Sequence, residues 1–317
     1  MTKLHLIADV GATNARFALV SDSTTELLEQ LTLPASAYAN MTEATQAYLH
    51  KIGNPKLAKA CIAIAGPAHK PRFTLANNDW QVDKADVEQL LNCDVFWLND
   101  FAVQAWGVTG LQPSQQLVIK SGTAKRDGNR LVIGPGSGLG VAGLVNEKGH
   151  WVTVTGEGGH VSFAPSNSQE IAVLEYLLQR YEHVSVERVA SGSGIPVLYQ
   201  ALAQITGQAS LHDEAAAIAN AAMQGDGLAG QTMDMFFSIL GKSIASAALQ
   251  IGATGGIYLV GGILPKLQES LLASQFTDSF SRRGRLSNYL EDIPIVLSLD
   301  SDLGLKGAAL ALAAQEE

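Results

Sequence analysis

Several stretches of this 317-residue chain combine residue types that do chemistry. Val95-Phe-Trp-Leu98 is an apolar run ending in Asn99-Asp100. Open α/β sheets carry their reactive groups at the carboxyl ends of strands, so Asp100 fits a general base that takes a proton from a hydroxyl. It fits a helix N-cap before Phe101-Ala-Val-Gln-Ala105 equally well. Thr155-Gly-Glu157-Gly-Gly-His160 sets a glutamate and a histidine three apart, a metal-ligand spacing if the segment were helical. Three glycines disfavour a helix. A loop presenting Glu157 and His160 suits hydrogen bonds to vicinal hydroxyls instead, the carboxylate accepting and the imidazole doing either. Glu187, in His183-Val-Ser-Val-Glu187-Arg188, falls in a short helical pattern, where a solvated charge is the ordinary reading. Asn77-Asn78-Asp79-Trp80 reads first as a polar turn.

Three glycine-bearing turns add a second kind of chemistry. Asp9-Val-Gly11-Ala12-Thr13-Asn14 joins a strand-end carboxylate to a turn with polar donors, and a carboxylate beside phosphates can hold Mg²⁺ through water. An ordinary hairpin turn explains the same residues. Gly134-Pro-Gly136-Ser137-Gly138-Leu-Gly140 has more glycine than a plain turn needs, and its backbone N–H groups suit a phosphate. Tyr258-Leu-Val-Gly261-Gly262 ends a strand where a flat ring could lie against backbone, or where the chain merely turns. Standard nucleotide motifs fail: Leu139 breaks G-x-G-x-x-G, and Phe236 stands where a P-loop ending in Gly241-Lys242-Ser243 needs its first glycine.

The elements that must position these groups alternate. β-rich apolar runs fall at 4–9, 15–20, 61–65 and 95–98, with helical patterns at about 42–51 and 85–91; a second set of strands falls at 130–134, 141–145, 151–155, 257–260 and 293–297. Helices cover much of 168–252, the longest over 227–251, and an alanine-rich helix closes the chain from about Gly304. The segments 4–20 and 131–145 share one plan of strand, small-residue turn and strand, about 125 residues apart, which predicts two similar lobes with their turns facing across a cleft. The expected division is 1–110 with 301–317, and 111–300. Twenty-one basic against 30 acidic side chains, net charge −9, exclude a nucleic-acid surface. No stretch reads as a membrane span or a signal peptide, and Cys61 and Cys93 read as reduced thiols of a cytoplasmic protein.

In order along the chain, Asp9-Val-Gly-Ala-Thr-Asn-Ala-Arg16, Asn99-Asp100-Phe101, Gly134-x-Gly136-Ser-Gly138-Leu-Gly140, Gly156-Glu-Gly-Gly-His160, His183-Val-Ser-x-Glu187-Arg and Val260-Gly-Gly-Ile263 resemble the bacterial glucokinase family, within the actin-like sugar kinases. The resemblance covers essentially the whole chain. It implies an α/β, two-lobed, actin-like (ribonuclease H-like) fold with an interlobe active site, using ATP and Mg²⁺ to phosphorylate glucose at its 6-hydroxyl. A kinase for another hexose or an N-acetylhexosamine, or a non-kinase actin-like ATPase, is the alternative. By the same resemblance Asp100 is the base, and Asn77, Asn99, Asp100, Glu157, His160 and Glu187 bind the sugar. Asp9, Gly11, Ala12, Thr13 and Asn14, with Gly136, Ser137 and Gly138, hold phosphates. Gly261 and Gly262, with 304–309, border adenosine. Asp9 reaches Mg²⁺ only through water, and a homodimer is implied. Ala12 departs from the family, which often has glycine there.

Overall fold

The opening apolar run is buried on both faces because successive side chains of a strand point to opposite sides of its sheet. The computed structural model describes residues 2–75 and 78–315. In it β1 (Leu4–Val10) sends Leu6, Ala8 and Val10 to one core and Ile7 to another. β1 pairs antiparallel with β2 (Asn14–Ser21), which pairs antiparallel with β3 (Thr24–Pro34). On its other side β1 runs parallel to β4 (Leu57–Ile64). A small hairpin, β5 (Arg72–Thr74) with β6 (Gln81–Asp83), precedes β7 (Asp94–Asn99), which is parallel to β4. The sheet order is β3-β2-β1-β4-β7. Helices Met41–Lys51 and Lys84–Leu91 cover one face, while Asp100–Gly107 and the terminal helix Leu303–Ala313 cover the other. These elements form one compact unit, Met1–Gln115 with Asp300–Glu317.

The second unit, Gln116–Leu299, repeats the plan. It holds β8 (Gln116–Lys120), β9 (Arg130–Pro135), β10 (Leu139–Glu147), β11 (His150–Gly156), β12 (Ile257–Leu259) and β13 (Ile295–Ser298), in the order β11-β10-β9-β12-β13-β8. Apart from the added β8, each sheet has two antiparallel pairings at one side and two parallel pairings at the other. The shared strand-turn-strand plan of 4–20 and 131–145 is therefore a pair of true hairpins at equivalent sheet positions. The helix expected over 227–251 is Gly227–Ile251, capped by the Asp226 side chain on Ala229 N–H and closed by Gly252 at φ 65°. It packs Phe236, Phe237, Leu240 and Ile244 into the unit's core.

Four strands have no counterpart in the sequence reading: β3, the short pair β5 and β6, and β8. β3 lies mostly exposed at a sheet edge, and β8 is only partly buried, so neither carries a continuous apolar signal. The helical pattern at 183–188 is also corrected. Ser185 bridges Ser162 in extended backbone and Glu187 lies in a turn.

Candidate active site

Sheet register assembles the polar groups of the first unit. Val10, Ile64 and Asn99 are aligned across β1, β4 and β7. Asp9 with its turn, and Asn99 with Asp100, therefore stand at the carboxyl ends of parallel strands in one sheet about 10 Å apart, two interstrand spacings. Asn99 rather than Asp100 is the helix N-cap, its Oδ1 accepting the Phe101 N–H at 2.9 Å. Asp100 is the first helical residue, with Oδ1 3.0 Å from the same N–H. The terminal helix holds that helix at close range, since a Cβ on Gly307 would overlap the Val103 carbonyl. Gly304 abuts Asp9, where a Cβ would lie 2.6 Å from Oδ2. The small residues of 304–309 thus serve helix packing in this unit.

Asp9 has a side chain 16% exposed, and Arg16 Nη1 stands 4.0 Å from it, beyond hydrogen-bond range. Burial raises the Asp9 carboxyl above the usual carboxylate range, and Arg16 opposes the shift. Arg16 Nη1 also donates to Ser301 O at 3.1 Å. Asn77 lies outside the described residues.

The two glycine turns share a hydrogen-bond arrangement. In each, the first glycine's N–H is consumed within the turn: Gly11 donates to Asn14 O at 3.0 Å and Gly136 to Gly138 O at 2.8 Å. Fewer donors remain than the glycine content suggests. The carbonyls are also tied. Ala12 O accepts from Asn78 Nδ2 at 2.7 Å, and Thr13 O from Ala35 N–H at 2.8 Å. Gly136 O accepts from Gly192 N–H at 2.8 Å, and Ser137 O from Ser193 Oγ at 2.8 Å.

In the second unit a short antiparallel ladder brings two distant segments together. Glu187 N–H donates to Gly159 O at 2.8 Å, Val186 N–H to Val161 O at 2.9 Å, and Phe163 N–H to Val184 O at 2.9 Å. This pairing sets Glu187 Oε1 3.6 Å from His160 Nε2. Glu187 Oε2 accepts the Leu139 N–H at 2.7 Å, so the carboxylate spans the His160 loop and the Gly136–Gly138 turn. It is not the solvated charge that its local pattern suggests. Glu157 and His160 are exposed, and Gly158–His160 forms a single 3₁₀ turn. Because β12 lies parallel to β9, the Gly261-Gly262 turn falls beside the Gly136–Gly138 turn. Gly261 has φ 91° and a Cβ there would be 3.2 Å from Pro135 O, so only glycine suits the position.

Sequence reasoning missed Asn78, Gly192 and Ser193 as partners of these turns. The signal available for the last two was Ser191-Gly-Ser-Gly194, small residues just before the helix Gly194–Thr206. Among the described residues no cluster of three or more His, Cys, Asp or Glu side chains stands ready to cage a metal ion. No described helix is long and apolar enough to cross a membrane.

The family model for glucokinase matches residues 6–315. The chain is 40% identical over 313 residues to a glucokinase of Hahella chejuensis, covering 98% of this chain and 97% of that one. It is 40% identical over 317 residues to a glucokinase of Chromohalobacter salexigens, covering 100% and 99%. Among solved structures, a glucokinase from an Antarctic psychrotroph superposes with TM-score 0.88 at 35% identity over 98% of both chains. A ROK family glucokinase from Streptomyces griseus, in complex with glucose and AMPPNP, has TM-score 0.67 at 21% identity, covering 98% and 99%. These neighbours have the two-lobed actin-like fold, the class to which this α/β chain conforms.

Proposed function

The chain belongs to the glucokinase family, and on that premise we propose that Asp100 is the base by which it transfers the γ-phosphoryl group of ATP to the 6-hydroxyl of glucose. ATP-dependent phosphorylation of glucose is its activity. The observation that supports Asp100 most directly is the register Val10–Ile64–Asn99, which sets the Asp9 turn and Asp100 at the carboxyl ends of parallel strands in a single sheet. About 10 Å between their backbones leaves room for phosphate oxygens and a hydroxyl acceptor.

Phosphoryl transfer asks mainly for positioning and charge stabilisation. Asp100 accepts the hydroxyl proton as the O–P bond forms. Asn99 offers its amide N–H groups to the sugar while its oxygen caps the helix. Glu157, His160 and Glu187 bind further hydroxyls, and Asn77 contributes to the same set. The turns Gly11–Asn14, Ala12 included, and Gly136–Gly138 hold the phosphates, and Gly261 with Gly262 borders adenosine. Asp9 fits a Mg²⁺ held through water: its carboxylate is partly exposed and its cation partner stands beyond hydrogen-bond range. Bound with ATP, Mg²⁺ supplies neutralisation of phosphate charge. A cytoplasmic homodimer completes the reading.

ADP release from MgATP, measured alone and with glucose, mannose, fructose, galactose or N-acetylglucosamine, tests it. Release that depends on glucose and is lost in Asp100→Asn is the expected result. Preference for another sugar reassigns the acceptor, and sugar-independent turnover makes the protein an actin-like ATPase.

A further inference from the structure

A trans peptide is planar, with its C=O and N–H pointing in opposite directions. Fixing a carbonyl therefore aims the N–H of the next residue the other way. Ala12 O is held by Asn78 Nδ2 at 2.7 Å, which directs the Thr13 N–H away from Asn78. Ser137 O is held by Ser193 Oγ at 2.8 Å, the shorter of its two bonds from Ser193, with the backbone N–H at 3.3 Å, and both direct the Gly138 N–H away from Ser193. We propose that Asn78 and Ser193 are positioning residues for ATP, each drawing back one turn carbonyl so that the following N–H faces a phosphate. This rests on the reading of the two turns as phosphate cradles.

Both side chains are themselves held. Asn78 Oδ1 accepts the Trp80 N–H at 2.8 Å, leaving the amide NH₂ as the group that meets Ala12 O. The Ser193 hydroxyl has one proton, given to Ser137 O, so Ser191 Oγ, 3.1 Å away, is the donor to Ser193. Ser191 in turn accepts the Gly194 N–H at 3.0 Å. That chain of bonds links the phosphate turn to the first residue of the helix Gly194–Thr206. Ser193 is exposed, so its substitution leaves the core intact.

The test compares the KM for MgATP at saturating glucose with the glucose Kd, in Ser193→Ala, Ser193→Thr, Asn78→Ala and Gly136→Ala. Ser193→Ala and Asn78→Ala are expected to raise the MgATP KM about 3- to 10-fold, the effect of one ordinary hydrogen bond, without changing the glucose Kd. Ser193→Thr, which keeps the hydroxyl, should restore it. An unchanged MgATP KM in both alanine variants, or a threonine variant as impaired as alanine, overturns the proposal. A Cβ on Gly136 meets no atom within 4 Å, so Gly136→Ala reports only on what approaches the turn. If it raises the MgATP KM while the anchor variants do not, the anchors alone fail. If it too is silent, the phosphate reading of that turn fails, and the proposal with it.

Discussion

Asn99 Oδ1 accepts the Phe101 N–H at 2.9 Å, so the helix that begins at Asp100 is capped by the residue before it. Asp100 is not needed as the cap. Asp100→Asn keeps a side-chain oxygen for the Phe101 N–H and leaves the cap on Asn99, so it is expected to change stability by no more than about 1 kcal/mol, the ordinary size of a point substitution, and to keep glucose binding. Turnover should fall by about 10² or more, the scale of general base catalysis. Steady-state assays beside glucose titration check it, and near-normal turnover would dismiss Asp100 as the base.

Gly307→Ala should destabilise the first unit. The added methyl overlaps the Val103 carbonyl, and neither helix backbone can yield without shifting the other. Overpacking of this kind costs about 1–3 kcal/mol. Since the displaced helix carries Asp100, turnover should fall as well. Denaturant unfolding and kinetics on one preparation measure both, and a fully stable, fully active variant would contradict the packing.

Lys242→Met should be more damaging than its partly exposed position suggests. Lys242 Nζ pairs with Glu170, whose side chain is 1% exposed and also accepts from Ser166 N–H and Asn167 Nδ2 at 2.8 Å each. Removing the cation leaves a buried carboxylate without its counter-charge and with only neutral donors, a loss of up to about 3–5 kcal/mol. Glu170→Leu in the Lys242→Met background should recover part of it. Additive losses in this double-mutant cycle would mean that the two side chains are not coupled.

The two thiols should react unequally. Burial pushes the Cys61 thiol up to about 12, so at pH 8 it is neutral as well as inaccessible. Cys93 is only half-buried. Native alkylation at pH 8, read by mass spectrometry, should label Cys93 first and leave Cys61 unmodified until the protein unfolds. Early labelling of Cys61 would show that the first sheet opens readily.

What the sequence determined by itself is the part carried by local pattern. Continuous apolar runs marked β1, β4 and β9 because strands covered on both faces need apolar residues at every position. The repeated strand-turn-strand plan marked both hairpins, and the ordered motifs marked the family. Asp100 stayed ambiguous, since a cap and a base have the same composition and only backbone geometry gives the cap to Asn99. The exposed strand β3 was silent because an edge facing water imposes no apolar alternation. Only the tertiary structure decided what Glu187, Asn78 and Ser193 touch: Leu139 N–H, Ala12 O and Ser137 O, partners 48, 66 and 56 residues away. Such bonds depend on how sheets and loops close in space, and a hydrogen bond leaves no periodicity along the chain that a single sequence could reveal.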